Sequence, residues 1–470
     1  MQATAAGELN TSFLSSLKEA IRGTQQDFTE GSISRAVLLL ATPMVLEMLM
    51  ESLFAIVDVF WVTHLGSNAV ATVGLTESML SIVFSVALGV SMSTTAMVAR
   101  RTGEKDARGA SIAASQAILL GITLSVLMGV PGYWMAPRLL EWMGARPDLV
   151  ASGWRYTSIV LGGNFAVMLL FLNNAIFRGA GDASVAMRVL WFANLINLAL
   201  DPCLIFGLGP FPALGVTGAA VSTLIGRSCG VAYQFWILFG GRSRVALRAA
   251  DLRVVPKVIA SLARVSVTGV LQFAIAHTSW VALVRFISTF GSVAVAGYTI
   301  GIRIFIFAIL PCWGLSGAAA TMVGQNLGAR KPERAERAVY LTACYNAAFL
   351  AAVGSVFIFL PGALVRFFTT DASVALYAVD CLRIVAYGNL AYAFGMVMVQ
   401  AFNGAGDTVT PTIINLFGFW LFEIPLAWAL AFPAGMGVRG VFSSIPIAEF
   451  LITVMGLVTF ARGRWKDRRI

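Results

Sequence analysis

Histidine is almost missing from this sequence. Only His64 and His277 occur in 470 residues, too few for a histidine metal cluster and without the partners that a metalloprotease or hydrolase motif needs. HExxH is absent. Cysteine is scarce too. Cys203, Cys229, Cys312, Cys344 and Cys381 are odd in number, scattered and set in apolar runs, and read as small core residues rather than as a disulfide or zinc framework. Charged residues make up 12% of the chain, against about 25% in soluble domains, which excludes a soluble globular domain. Residues 1–34 have no apolar central run, so no cleavable signal peptide is visible. That segment, with Lys18, Glu19 and Arg22, reads as a short interfacial helix or as disordered. No filter-like segment suggests a channel.

What is abundant is apolar surface, at 58% of residues. Stretches of about 20 or more, long enough to cross a bilayer as helices, lie near 35–63, 70–99, 110–134, 155–177, 185–208, 214–240, 258–289, 296–325, 337–360, 379–402, 409–432 and 437–461. The expected fold class is therefore an all-α integral membrane protein of twelve transmembrane helices. The strict alternation of barrel strands is absent. The expected organisation is a cytoplasmic N-terminal segment at 1–34, a six-helix N-lobe at 35–240, a cytoplasmic linker at 241–257, a six-helix C-lobe at 258–461 and a basic cytoplasmic tail at 462–470.

The net charge of +10 does not point to nucleic acid. Arg138, Arg146, Arg155, Arg366, Arg383 and Arg439 occupy the loops on one side, and Arg227, Arg285 and Arg303 lie within spans. All other Lys and Arg fall on the side of the N-terminus. Positive charge concentrates in cytoplasmic loops, so both termini are expected in the cytoplasm of a multi-pass protein of the cell inner (plasma) membrane. The expected partners are the lipid bilayer and a small-molecule substrate, with no nucleic acid.

The two halves are copies. Residues 66–182 recur at 291–407 at a constant spacing of 225. Gly66-Ser67 matches Gly291-Ser292, Met97-Val98 matches Met322-Val323, and Gly-Ala-Gly-Asp at 179–182 matches 404–407. Beyond this the register slips by three, so that Gly215-Val216 matches Gly437-Val438. Duplicated apolar units build many transporters, and a chain that holds both lobes can work as a monomer. The Gly-Ala-Gly-Asp segments read as tight cytoplasmic turns in which Asp182 and Asp407 cap the next helix; the rival reading is a gating element.

The copies differ in charge. The first span carries Glu47, Glu51 and Asp58, at offsets of four and eleven residues that share one helix face. The fifth carries Asn194, Asn197 and Asp201. An ionisable group at span depth costs about 2.5–3.5 kcal/mol on insertion scales. At the spacing of 225, Asp58 maps to Leu283, Asp201 to Leu426, Glu47 to Gln272, Glu51 to Ala276, and Asn194 and Asn197 to Phe419 and Phe422. Carboxylates that merely held the fold would be needed in both copies, so Asp58 and Asp201 read as functional. For Glu47 and Glu51, nearer the cytoplasmic end, simple hydration is an equal alternative. A carboxylate in a low-dielectric cleft prefers its neutral form, and so can carry a proton; with an amide oxygen it can instead hold Na⁺. In the C-lobe, Glu423 precedes Pro425, a helix irregularity, and either contacts substrate or pairs with Arg303. The abundance of Met and Phe, 17 and 32 residues, suits a cavity for varied apolar substrates.

Asp58-Val-Phe-Trp61, His64-Leu-Gly66, the paired Gly-Ala-Gly-Asp turns, Asn197-Leu-Ala-Leu-Asp201-Pro202 and Gly215-Val-Thr-Gly-Ala219 together resemble the multidrug and toxic compound extrusion (MATE) family over residues 33–461. The resemblance implies a V-shaped exporter of organic cations and drugs, driven by H⁺ or Na⁺ as coupling ion, with no cofactor and no bound metal. Asp58 resembles the family's first-helix aspartate. Asn197 and Asp201 resemble the Asn-x-x-x-Asp pair of the branch with an N-lobe cation site, where a sixth-span threonine completes the site: Thr223 here, with Thr217 next. Ala276 and Tyr392 stand where another branch has C-lobe acids, and Glu423 has no counterpart in the resemblance. The expected activity is cation-coupled antiport, with Asp58, Asp201, Asn197 and Thr223 carrying the ion and Glu47, Glu51, Asn194 and Glu423 as candidate substrate or relay residues. The alternative is a flippase for a lipid-linked saccharide or lipid precursor, which would be expected to have a strongly basic cleft. An intramembrane enzyme is the third reading; it lacks HExxH and a histidine partner at plausible depth.

Overall fold

A computed structural model describes residues 15–23 and 26–468. After a short helix at 15–22, the chain forms α1 (Ile33–Thr63), α2 (Ser67–Gly103), α3 (Ala107–Trp142), α4 (Pro147–Ala180, interrupted at Gly163), α5 (Ala183–Phe206) and α6 (Val216–Phe239). The second lobe contains α7 (Pro256–Ser288), α8 (Ser292–Gly328), α9 (Pro332–Phe359), α10 (Ala372–Ala386 and Asn389–Gly404, bent by 59°), α11 (Val409–Ala431) and α12 (Val438–Ala461). No strand occurs among the described residues. Among the described residues, by length and apolar composition alone, nine helices can cross a membrane, ten if the bent α10 is one span.

The lobes meet where α1 packs on α8, α2 on α7, and α2 on α8. The first two contacts are exchanged by the repeat, so a pseudo-two-fold axis passes between the lobes. At the end that carries both termini, the approach is very close. A methyl group at Gly103 would sit 1.9 Å from the Gln325 carbonyl oxygen, and one at its repeat partner Gly328 would sit 2.2 Å from that of Arg100. Gln325 Nε2 donates to the Gly179 carbonyl at 2.9 Å, and the Ser93 and Ser266 hydroxyls meet at 2.8 Å. Small residues let the backbones touch, as is usual between membrane helices.

Residues 26–31 strap this seam. Phe28 is fully buried against Gly181. Lys331 donates to the Thr29 carbonyl at 3.0 Å, Arg334 to those of Gly31 and Glu30 at 2.8 Å each, and Arg244 to that of Gln26 at 2.9 Å. Partial burial opposes the charge of Asp27, but the Thr29 hydroxyl and N–H, with Lys105 and Lys331, outweigh it and hold the carboxyl below its ordinary value.

Both Gly-Ala-Gly-Asp segments are turns, with Gly181 and Gly406 in left-handed conformation at φ of 88° and 80°. Only one of the expected caps is found. Asp407 accepts from the Thr410 hydroxyl at 2.7 Å and lies 3.4 Å from its N–H. Asp182 makes no cap. Its carboxylate is taken instead by the Ser243 hydroxyl at 2.5 Å and the Arg244 N–H at 2.8 Å, both in the segment that follows α6.

Candidate functional site

The site begins with a stripe of small residues on α6. Gly218, Ser222, Gly226 and Gly230 recur every four residues on one face. A methyl group at Gly226 would meet the Ala193 carbonyl oxygen at 2.7 Å, and one at Gly218 the Leu204 carbonyl oxygen at 2.4 Å. With no side chain in the way, α5 lies flush on α6, and Asn197 and Asp201 come to face Ser222 and Thr223.

Asp201 is fully buried and Asn197 nearly so. The Ser222 hydroxyl donates to Asp201 Oδ1. In the amide orientation that satisfies its neighbours, Asn197 donates to Asp201 Oδ2 at 2.9 Å and accepts from the Thr223 hydroxyl at 3.1 Å. Of the two threonines considered, the structure places Thr223 here. No positive side chain lies within ion-pairing distance of Asp201 among the described residues, so burial of its charge is offset by hydrogen bonds alone.

Thr223 also lines a cavity of about 830 Å³ between the lobes. Its lining follows α1 from Glu51 through Asp58 to Thr63 in the last turn, so it lies on the side of the lobe contact away from the termini. Asp58 is partly buried in its wall. Tyr156 of α4 stands within electrostatic reach of Asp58, Glu77, Asp201 and Arg227 together.

The other candidates form a column below. Glu51 meets Arg227 of α6 at 3.8 Å and accepts from Asn194 at 3.3 Å. Arg227 also stands over the Phe54 and Phe84 rings at 5.8 and 5.9 Å. Glu47, fully buried, accepts from Asn174 at 3.0 Å through one oxygen, while its other oxygen is unpaired. Gln234 Nε2 donates to Asn174 at 2.7 Å and Asn173 donates to Gln234 at 3.1 Å, a buried network that fixes the Asn174 amide. Glu47 is therefore not simply hydrated at a helix end. Glu47 and Glu51 line a second cavity, of about 250 Å³, beneath the first.

Glu423 lies apart. It is buried in the second lobe at the end of a π-helical stretch, Leu416–Glu423, which realises the expected irregularity before Pro425. The expected pair with Arg303 does not form. Ser279 donates to Glu423 at 2.9 Å, whereas Arg303 lines the inter-lobe cavity and faces Glu77. The extra turn width of the π segment directs Glu423 into its own lobe.

Sequence reasoning missed Glu77 and Tyr156. Glu77 passes the same test as Asp58: at a spacing of 225 it maps to Ile302. Tyr156 maps to Cys381 and carries no charge to mark it. Arg227 was visible as a cation within a span, but its pairing with Glu51 was not.

Against known proteins, the MatE family model matches residues 43–203 and 270–429, one stretch in each lobe. The chain belongs to the MatE family. Its similarity to a probable multidrug resistance protein NorM of Thermotoga maritima is 25% identity, covering 93% of this chain and 94% of that protein. An FAD transporter of Shewanella oneidensis is 26% identical, over 90% and 93%. A multidrug resistance MATE family transporter solved in an outward-facing conformation superposes with a TM-score of 0.87 at 26% identity, covering 93% and 97%. A MatE protein is a transporter and not an enzyme, so this chain is a multi-pass membrane transporter.

Proposed function

We propose that this transporter is an antiporter that exports organic cations, drugs or other amphipathic small molecules by alternating access, driven by H⁺ or Na⁺ entering through the first lobe. The carrying observation is the placement of Asp58 in the cavity wall with the Asp201–Asn197–Thr223 constellation buried behind it. Loading that constellation with a proton or Na⁺ removes an uncompensated charge from the lobe interior, and a charge change there biases how α1, α5 and α6 pack. The coupling ion and the cargo then alternate because one cavity wall serves both. Glu51 and Asn194, joined to Arg227, connect the constellation to the lower cavity.

The protein is placed in the cell inner membrane with both termini in the cytoplasm and acts as a monomer. The cavity then faces outward and the strapped end faces the cell. In reconstituted vesicles with pH and Na⁺ gradients imposed separately, one gradient should drive dye efflux. Asp58→Asn should abolish gradient-driven efflux while expression and insertion stay normal; undiminished transport by that variant rejects the coupling role. A fluorescent lipid precursor in the same vesicles tests the flippase alternative. The cavity supports it poorly, since Arg227 is neutralised by Glu51 and a pyrophosphate needs several free cations.

A further inference from the structure

The cavity is charged unequally on its two walls. Glu51, Asp58 and Glu77 come from the first lobe, and Arg303 comes from the second. Arg227, the other cation, is committed to Glu51 and to the faces of Phe54 and Phe84. Arg303 is exposed into the cavity and makes no hydrogen bond or ion pair with a described residue. Glu77 across the cleft feels its charge but stays beyond ion-pairing distance. The repeat shows that the fold does not require this residue: at a spacing of 225, Arg303 maps to Ser78. Phe307, one turn further along α8, and Phe84 on the opposite wall supply flat apolar surface between the two charges.

We propose that Arg303 is a specificity-determining anchor for a carboxylate, and that the preferred cargo is an amphipathic zwitterion: an aromatic body with its cationic end toward Asp58 and Glu77 and its carboxylate on Arg303. A guanidinium presents a planar fork that matches a carboxylate in two-point contact. A purely cationic cargo uses the acidic wall and leaves Arg303 in water; a zwitterion uses both walls. This rests on the export reading above and narrows it to a substrate class.

The test uses two matched dyes in vesicles containing the full chain. Tetramethylrhodamine carries an aromatic cation and a free carboxylate; its methyl ester keeps the cation and loses the anion. Arg303→Gln should lower efflux of the acid about tenfold, as expected for one lost charge-assisted contact, and leave efflux of the ester unchanged. Arg303→Lys, which keeps the charge but not the fork, should fall between. Equal loss of both dyes, or loss of neither, overturns the assignment. A wild-type protein that moves the ester and not the acid overturns it while leaving export intact. A wild-type protein that moves neither dye overturns the export reading and this inference with it.

Discussion

Asp182 holds Arg244, whose Nε lies 3.3 Å from Oδ1 and whose N–H donates to Oδ2 at 2.8 Å. The second lobe repeats the device with Asp407 and Arg468, at 3.1 Å. In each lobe the turn after the fourth helix grips the segment that follows the sixth, closing the lobe on itself. Asp182→Asn should destabilise the protein by about 1–3 kcal/mol, the range for unpairing a buried polar group. Asp407→Asn should cost less, because the Arg468 side chain is 51% exposed and exposed pairs contribute little. Thermal unfolding in detergent, followed for both variants, checks the order.

The two sixth-span threonines should separate in function. Thr223 bonds Asn197, whereas Thr217 has no hydrogen bond to the constellation. Thr223→Val should therefore cut gradient-driven efflux by about tenfold, the loss of a buried hydrogen bond at the proposed ion site, and Thr217→Val should leave it within about twofold. Equal behaviour would count against Thr223 as a member of the site. Rates in vesicles at matched protein density decide the matter.

The seam at the terminus-bearing end offers a conformational test. Gly103→Ala and Gly328→Ala each force a methyl group onto a backbone carbonyl of the other lobe, an overpacking that costs about 1–3 kcal/mol. The strain is relieved if the lobes part there. Both variants should expose residues of the lower cavity, such as Ser91, to a thiol reagent after replacement by Cys. Gly74→Ala is the control: it is helical and open, with nothing within 4 Å, and should change nothing.

The strap should respond to acid but not to mild pH change. Asp27 accepts from the Thr29 N–H at 2.8 Å and is held below its ordinary value. A carboxyl lowered in the folded chain contributes stability above its unfolded pKa and loses it as pH falls through the folded one. Hydrogen-exchange protection of the Thr29 N–H, corrected for intrinsic rates, should be flat from about pH 5 to 8 and fall below about pH 4.

Much of this was legible in sequence because a bilayer leaves so few options. Run length gave the helices, and the repeat register singled out Asp58 and Asp201, which the structure places in the cavity wall and in the buried α5–α6 constellation. The same register would have found Glu77 had every acid been passed through it. Other features belong to tertiary context. The reading of 379–402 as one span missed the 59° bend in α10, set where Gly388 presses against Pro446. Capping by Asp182 lost to Ser243 and Arg244, partners 61 and 62 residues away. Glu423 and Arg303 diverged because a π stretch rotated one of them out of the cleft.

The glycine stripe on α6 has a consequence for inheritance. Asn197, Asp201, Ser222 and Thr223 are brought together by missing side chains, so this geometry can be erased from a distance by adding a single carbon to a glycine that makes no bond to any of them. Variants with impaired transport should accordingly turn up at Gly218 and Gly226 as well as at Asp201, and a screen watching only charged positions would overlook them.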